Sequence, residues 1–334
     1  MSHLQFDDHG TPGSVLHLIE TPAQPLADGH VRVQMHAAPI NPSDLLHVRG
    51  EYGAEVTPPA QVGFEGVGVV TESNAGLLGS FLKSKRVAVL SRTGGTWAEA
   101  CDVPAKSVIP IPRSLSLQAA ATFFINPATA YIMVKRVLDV PRGEWLLQSA
   151  ANSAVGRMVI QLGRHYGFRT ANLVRHAEQE EQLRQLGADQ TYVLNGSEDV
   201  SALHEWLEDE VRFGLDPVGG SIGSLVAGSL GVGGRFVSYG SLSNEPLAID
   251  PRILLSRSHT LTGFWLGPYM DQLSLLQKIA LIQTLKGLHK RGVFEIPEAI
   301  SFPLASYLEA IATAESSTGG RKVLLVMDEA NANC

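Results

Sequence analysis

Cysteine is scarce in this chain. Its 334 residues include only Cys101 and Cys334, 233 positions apart, which excludes a disulfide framework and a four-thiolate zinc lobe. Basic residues are the minority charge: 26 Lys and Arg against 33 Asp and Glu leave a net charge of −7. A nucleic-acid binder usually carries a basic face, so no nucleic-acid partner is expected. No apolar run approaches the ~18 residues of a membrane span. The opening stretch, MSHLQFDDHG, holds Asp7 and Asp8 and no basic stretch ahead of an apolar one. Neither a secretory signal nor a transit peptide is expected there. Charged residues make up 18% and hydrophobic residues 44%, too little charge for a disordered chain and enough apolar surface for a core. The composition predicts a soluble protein of roughly two domains, in a reducing, cytoplasmic compartment and with no membrane partner.

The pattern changes along the chain. Up to about residue 120 it reads as β-rich, with short runs such as Val31–Met35 and Val67–Val70 between glycines and prolines. Eleven of the 18 prolines fall before residue 130, which disfavours long helices there. Asn126-Pro127 reads as a helix cap followed by proline in the first turn. Beyond it strands and helices alternate. Trp145–Ser149 is a short buried strand, and Val155, Met158, Val159, Leu162 and Tyr166 then mark one helical face. Gly167 fits the stop. A strand over 170–174, a helix over 178–186 and a strand over 190–194 follow. This alternation implies parallel pairing with right-handed crossovers. A further strand and turn pass through Asp216–Gly220, and another strand through Gly234–Gly240. A long helix is expected near 273–290 and a closing strand over 322–326.

A turn between strand and helix can hold a pyrophosphate, because the helix N-terminus offers unpaired N–H groups and a positive dipole end. Aligned on Gly156, the stretch Ala151-Asn152-Ser153-Ala154-Val155-Gly156 keeps only the third glycine of the G-x-G-x-x-G fingerprint. Ser153 stands where backbone normally nears phosphate, and its hydroxyl can bond an oxygen instead. By itself the turn is equally an ordinary α/β connection. The second strand ends Leu173-Val174-Arg175-His176, with no carboxylate for a ribose hydroxyl. Arg175 lies 19 residues after Gly156, and a guanidinium there suits a 2′-phosphate. Alone, it also reads as a solvated strand-end arginine.

Taken together, Ile40–Asp44, Gly63–Gly68, Gly95–Glu99, Leu186–Asp189 and Gly233–Arg235 resemble the medium-chain dehydrogenase/reductase superfamily over nearly the whole chain. The resemblance implies an α/β protein: a GroES-like β-rich catalytic domain built from both chain ends (1–122 and 266–334), and an inserted Rossmann domain, a doubly wound parallel sheet that binds NADPH (123–265). Asn41–Asp44 with Arg49–Gly53, Asn126–Tyr131, Gln148–Gly156 and Gly263–Leu266 are similar to stretches of the mitochondrial-type 2-enoyl thioester reductases. Phe64 stands where those reductases commonly carry Asn. Zinc-dependent relatives hold their metal with Cys, a His-Glu pair and a later Cys. Here Asn41 replaces the first Cys and Phe64 the His, so no catalytic metal is expected. Cys101 reads as core.

The resemblance implies NADPH-dependent reduction of the C=C bond of a trans-2-enoyl thioester substrate. Hydride goes to the β carbon and a proton to the α carbon, while negative charge develops on the thioester oxygen. Tyr52 is the candidate proton donor, since an unperturbed phenol has a pKa of about 10 and holds its proton at neutral pH. Its loop, Gly50-Glu51-Tyr52-Gly53, would otherwise simply pack a surface ring. The implied cofactor set is Asn126, Asn152, Ser153, Ala154, Val155, Arg175, His176, Tyr239, Gly240, Ser241, Leu242, Phe264, Trp265, Leu266 and Lys322. Asn126 is otherwise a cap, Phe264 and Trp265 otherwise core. Lys322, or adjacent Arg321, is otherwise a solvated strand start. His47 lies nearby, but a loop histidine usually has no catalytic duty. A homodimer through the Rossmann sheet edge is what the family implies. Gly219-Gly220-Ser221-Ile222-Gly223 matches the G-x-S-x-G elbow of a serine hydrolase, and it also looks like the superfamily's Asp-x-Val-Gly-Gly turn. A quinone oxidoreductase, or a non-enzymatic NADPH-binding protein on the same fold, are the remaining alternatives.

Overall fold

A computed structural model describes residues 1–53, 56–194, 200–207, 211–316 and 320–327. The chain forms two compact units, Met1–Ile125 with Ile296–Cys334, and Asn126–Glu295.

The first unit is built on antiparallel pairing of short strands. A seven-stranded sheet runs in the order Ile300–Pro303, Val323–Val326, His30–Pro39, Glu65–Ser73, Arg86–Leu90, Val108–Pro110, with Ala100–Pro104 also pairing His30–Pro39. All its pairs are antiparallel except the first, which is parallel. Leu4, Phe6, Val62, Trp97 and Leu325 pack in one apolar cluster, and Trp97 Nε1 donates to Pro39 O (3.1 Å). Cys101 belongs to a second cluster with Val31, Val33 and Met35, and burial pushes its thiol up to about 12. It is a core residue, as the sequence implies. Helices before residue 120 stay short, the longest being Pro42–Arg49. Gly50 closes that helix in the left-handed conformation (φ 77°), which a residue without Cβ adopts at no steric cost.

The second unit is a six-stranded parallel sheet in the order Gln190–Val193, Arg169–Val174, Trp145–Gln148, Phe213–Asp216, Arg235–Ser238, Thr260–Gly263. In chain order this is 3-2-1-4-5-6, the doubly wound arrangement. The helices Ala154–Tyr166 and Glu178–Leu186 end at Gly167 (φ 81°) and Gly187 (φ 102°), both left-handed. The expected alternation therefore holds through this unit.

Two expectations need correction. The expected domain boundary after residue 265 lies instead at 295/296. The helix Leu275–Lys290 buries Leu281, Leu285 and Leu288, and Val293 and Phe294 follow it into the interior. Glu295 then accepts from Gln161 Nε2 on its carbonyl and pairs with Arg164 (2.6 Å), tying the segment to the second unit. Asn126 is not a cap: the helix Ile125–Ile132 already includes it. The start of that helix is held from elsewhere: Glu65 Oε2 accepts the Ile125 N–H (3.1 Å). Among the described residues, no helix is long and apolar enough to cross a membrane.

Candidate functional site

In the first unit the helix Pro42–Arg49 and the start of the strand Glu65–Ser73 meet in a buried polar cluster. Asp44 uses both carboxylate oxygens on backbone: Oδ2 accepts the Asn41 N–H (2.8 Å) and Oδ1 the Phe64 N–H (3.0 Å). Asn41 Nδ2 donates to Glu65 Oε1 (3.1 Å), and Lys322 Nζ donates to Asn41 Oδ1. Burial pushes the Asp44 carboxyl up to about 7 and raises Glu65, while the same desolvation lowers Lys322. The nearby opposite charges work against each of these shifts.

Beside this cluster runs a stack of rings. Tyr52 is half-buried and lies over Phe64, with centroids 5.2 Å apart and planes at 30°. Phe64 meets His47 edge-on at 5.0 Å, and His47 meets Phe6 at 5.4 Å. These are favourable aromatic geometries. Desolvation lowers the His47 pKa, so the imidazole beneath the stack is held neutral. Tyr52 thus stands on a wall whose backbone is pinned by Asp44.

Lys322, expected among the cofactor residues, donates to Asn41 Oδ1 and is desolvated beside Glu65 and Asp44; an ammonium has three donors, and Asn41 takes one of them. Arg321 donates its Nε to Glu298 O (3.1 Å) and is exposed.

In the second unit the remaining candidates collect where parallel strands end. Ser153 caps the helix Ala154–Tyr166, accepting the Gly156 N–H (3.1 Å). A Cβ at Gly156 would sit 2.6 Å from Ala151 O and 2.8 Å from Ala150 O, so the tight turn excludes any side chain there. Ala150 itself takes φ 46°. Asn152 Oδ1 accepts from Arg157 (2.8 Å). Ala154 and Val155 form the first turn of the helix. Arg175 and His176 are exposed just past Val174. Tyr239 follows the fifth strand, and its hydroxyl is buried without a hydrogen-bond partner beside Ser153 and Asp216. Burial, chiefly, raises its pKa. Gly240, Ser241 and Leu242 are exposed beyond it, Phe264 is buried just past the sixth strand, and Trp265 and Leu266 lead into the helix Leu266–Gln272. Open-sheet folds bind ligands at this carboxyl edge.

Within that edge the structure brings Asn152, Ser153 and Tyr239 to one turn and leaves Arg175 at the neighbouring strand end. The turn fits a dinucleotide: it offers a helix N-terminus, a position only glycine can fill, and an unpartnered buried hydroxyl. The G-x-S-x-G stretch serves a different purpose from a nucleophile elbow. Asp216 Oδ2 accepts the Gly219 N–H (2.8 Å) and Asp216 Oδ1 accepts from Ser149, so the acid organises the turn. Sequence reasoning missed Asp44 and Glu65 as functional groups. The available signal was the spacing Asn41-x-x-Asp44, an N-cap residue with an acid three positions on.

Residues 27–113 match the family described as alcohol dehydrogenase GroES-like domain, and residues 154–280 the family described as zinc-binding dehydrogenase. The mitochondrial enoyl-[acyl-carrier-protein] reductase of Homo sapiens is 32% identical over 332 residues, covering 97% of this chain and 88% of that protein. The enzyme of the same name from Caenorhabditis elegans is 36% identical over 299 residues, covering 88% and 85%. Among solved structures, one described as a candidate NADPH:quinone reductase from Bacillus thuringiensis superposes with a TM-score of 0.91 at 30% identity, covering 98% of this chain and 99% of that one.

Proposed function

Because the chain belongs to the medium-chain dehydrogenase/reductase superfamily, with enoyl thioester reductase-like relatives, we propose that it is an NADPH-dependent reductase of the C=C bond of trans-2-enoyl thioesters. The observation that carries this reading is Tyr52: a phenol held against Phe64, in a Gly-flanked loop. NADPH, when bound, supplies the hydride that reaches the β carbon of the acyl group. The chain's own residues do the rest. Ser153, Ala154 and Val155 offer the helix N-terminus to the pyrophosphate, with Asn152 and Tyr239 beside it. Arg175 offers a guanidinium to the 2′-phosphate, with His176 next to it. Asn126, Gly240, Ser241, Leu242, Phe264, Trp265 and Leu266 complete the cofactor set. Tyr52 donates its hydroxyl proton to the α carbon, so the thioester is left saturated and neutral.

The protein works as a homodimer joined through the strand Thr260–Gly263. That strand is one of the two edges of the sheet, and all four of its residues are exposed, an edge that a second copy extends by backbone pairing. Its compartment is a reducing one, the cytoplasm on the sequence reading, although the curated relatives are named as mitochondrial.

The quinone reductase reading has one specific support, the 30% identity to the Bacillus thuringiensis protein. A panel of crotonyl-CoA, longer enoyl-CoAs and a soluble quinone, each with NADPH, separates the two. Oxidation of NADPH by crotonyl-CoA with butyryl-CoA as product is the expected result. Turnover of the quinone alone would overturn the assignment, and NADPH binding without turnover of any acceptor would make the protein a non-enzymatic member.

A further inference from the structure

The helix Ala154–Tyr166 carries a charge where a helix gains least from one. Arg157 lies at its N-terminal end, and the first turn holds no acidic residue to answer it. A cation there works against the positive end of the helix dipole. The side chain is half-buried, and its Nε is enclosed without a hydrogen-bond partner. Desolvation acts against the charged form. The carboxylate whose field reaches the guanidinium, Glu295, is itself paired with Arg164 (2.6 Å). Local rules broken together in this way mark a functional place rather than a stabilising one.

The guanidinium does hold one neighbour. Its Nη1 donates to Asn152 Oδ1 (2.8 Å). Asn152 is buried and stands immediately before Ser153, the cap of the helix. A carboxamide has an acceptor end and a donor end, and rotation exchanges them. A guanidinium has donors only, so it can take only the oxygen. With that oxygen held by Arg157, the hydrogens on Nδ2 remain for whatever occupies the turn.

We propose that Arg157 orients Asn152, so that the turn presents amide hydrogens, and not an amide oxygen, to the pyrophosphate of the dinucleotide. The inference rests on the NADPH site proposed above. The orientation matters because amide hydrogens attract phosphate oxygens and a carbonyl oxygen repels them. Arg157 touches no reacting atom; it is a positioning residue for binding. Its task differs from that of Arg175. The pyrophosphate is common to NADPH and NADH, so loss of Arg157 weakens both alike.

The test is a double-mutant cycle of Arg157→Met and Asn152→Ala in the full-length protein, read by fluorescence titration with each nucleotide. The titrations are made in about 1 M NaCl, where a screening length of about 3 Å mutes the bare charge of the guanidinium. Arg157→Met is expected to raise both Kd values roughly 3- to 10-fold. In the Asn152→Ala background the same substitution is expected to change them less than about 2-fold, because the amide it orients is gone. An equal loss in both backgrounds would overturn the proposal, and so would a loss confined to NADPH. Inorganic pyrophosphate and 2′-AMP, used as competitors, locate the effect. Arg157→Met is expected to weaken pyrophosphate and spare 2′-AMP; the reverse would contradict the assignment. Should Arg157→Met fail to fold, Asn152→Asp carries the test, since it keeps the partner of Arg157 and turns only oxygens to the ligand. A loss of roughly 10-fold or more for both nucleotides is expected, and wild-type affinity would sink the proposal. A wild-type protein that binds neither nucleotide would instead remove the assigned cofactor, and the inference with it.

Discussion

In the proposed function Arg175 carries the choice of cofactor at the scale of one side chain. It is exposed at the end of the strand Arg169–Val174, where no carboxylate competes for a ribose hydroxyl. Arg175→Ala should weaken NADPH by roughly 1.5–3 kcal/mol, the worth of a charged hydrogen bond, and leave NADH nearly untouched. Fluorescence titration with both nucleotides checks this, and equal weakening of the two would show that Arg175 does not read the phosphate. His47 makes a second prediction at this scale. Its buried ring sits between Phe6 and Phe64, and desolvation lowers its pKa below the ordinary 6.5. The unfolded chain therefore binds the proton more readily than the folded one. The stability that His47 contributes is present above that value and is lost as pH falls through and below it. His47→Gln should flatten the decline in melting temperature between about pH 6.5 and 5; parallel curves for variant and wild type would contradict the shift.

Elements succeed or fail here according to how far away their determinants lie. The helix Ala154–Tyr166 is locally determined: Ser153 starts it, Gly167 stops it and Gly156 permits the turn before it. Gly156→Ala would place a methyl 2.6 Å from Ala151 O and must move backbone. A loss of roughly 1–3 kcal/mol in stability, together with weaker NADPH binding, is the expected outcome by thermal melting and titration. Wild-type values for both would mean the turn is looser than its geometry implies. The helices Ala154–Tyr166 and Glu178–Leu186 were legible because apolar spacing and a terminal glycine sit within the same short window. Asn126 was misassigned because the carboxylate that satisfies its helix start comes from Glu65, 60 residues away in sequence. The burial of Lys322 was not legible for the same kind of reason, its acceptor lying 281 positions away on Asn41. Strand-end lysines usually face water, and no local pattern marks one that does not.

The whole molecule divides into two compact units, and the fold class was readable because parallel and antiparallel strands have different textures: alternating elements after residue 126, short proline-punctuated strands before it. The C-terminal boundary was not readable. A helix belongs to whichever unit buries its apolar face, and the partners of Leu281, Leu285 and Leu288 are set by tertiary packing. With no zinc ligand set at Asn41 and Phe64, exhaustive chelation should leave turnover unchanged and elemental analysis should find no stoichiometric zinc; activity lost to the chelator and restored by zinc would contradict this. The proposed reaction rests on a phenol completing the saturation that hydride delivery begins. Steady-state kinetics of Tyr52→Phe with NADPH and crotonyl-CoA measure that directly. The account predicts a kcat lower by roughly 10²–10⁴-fold with NADPH affinity intact, and a rate equal to wild type would contradict it.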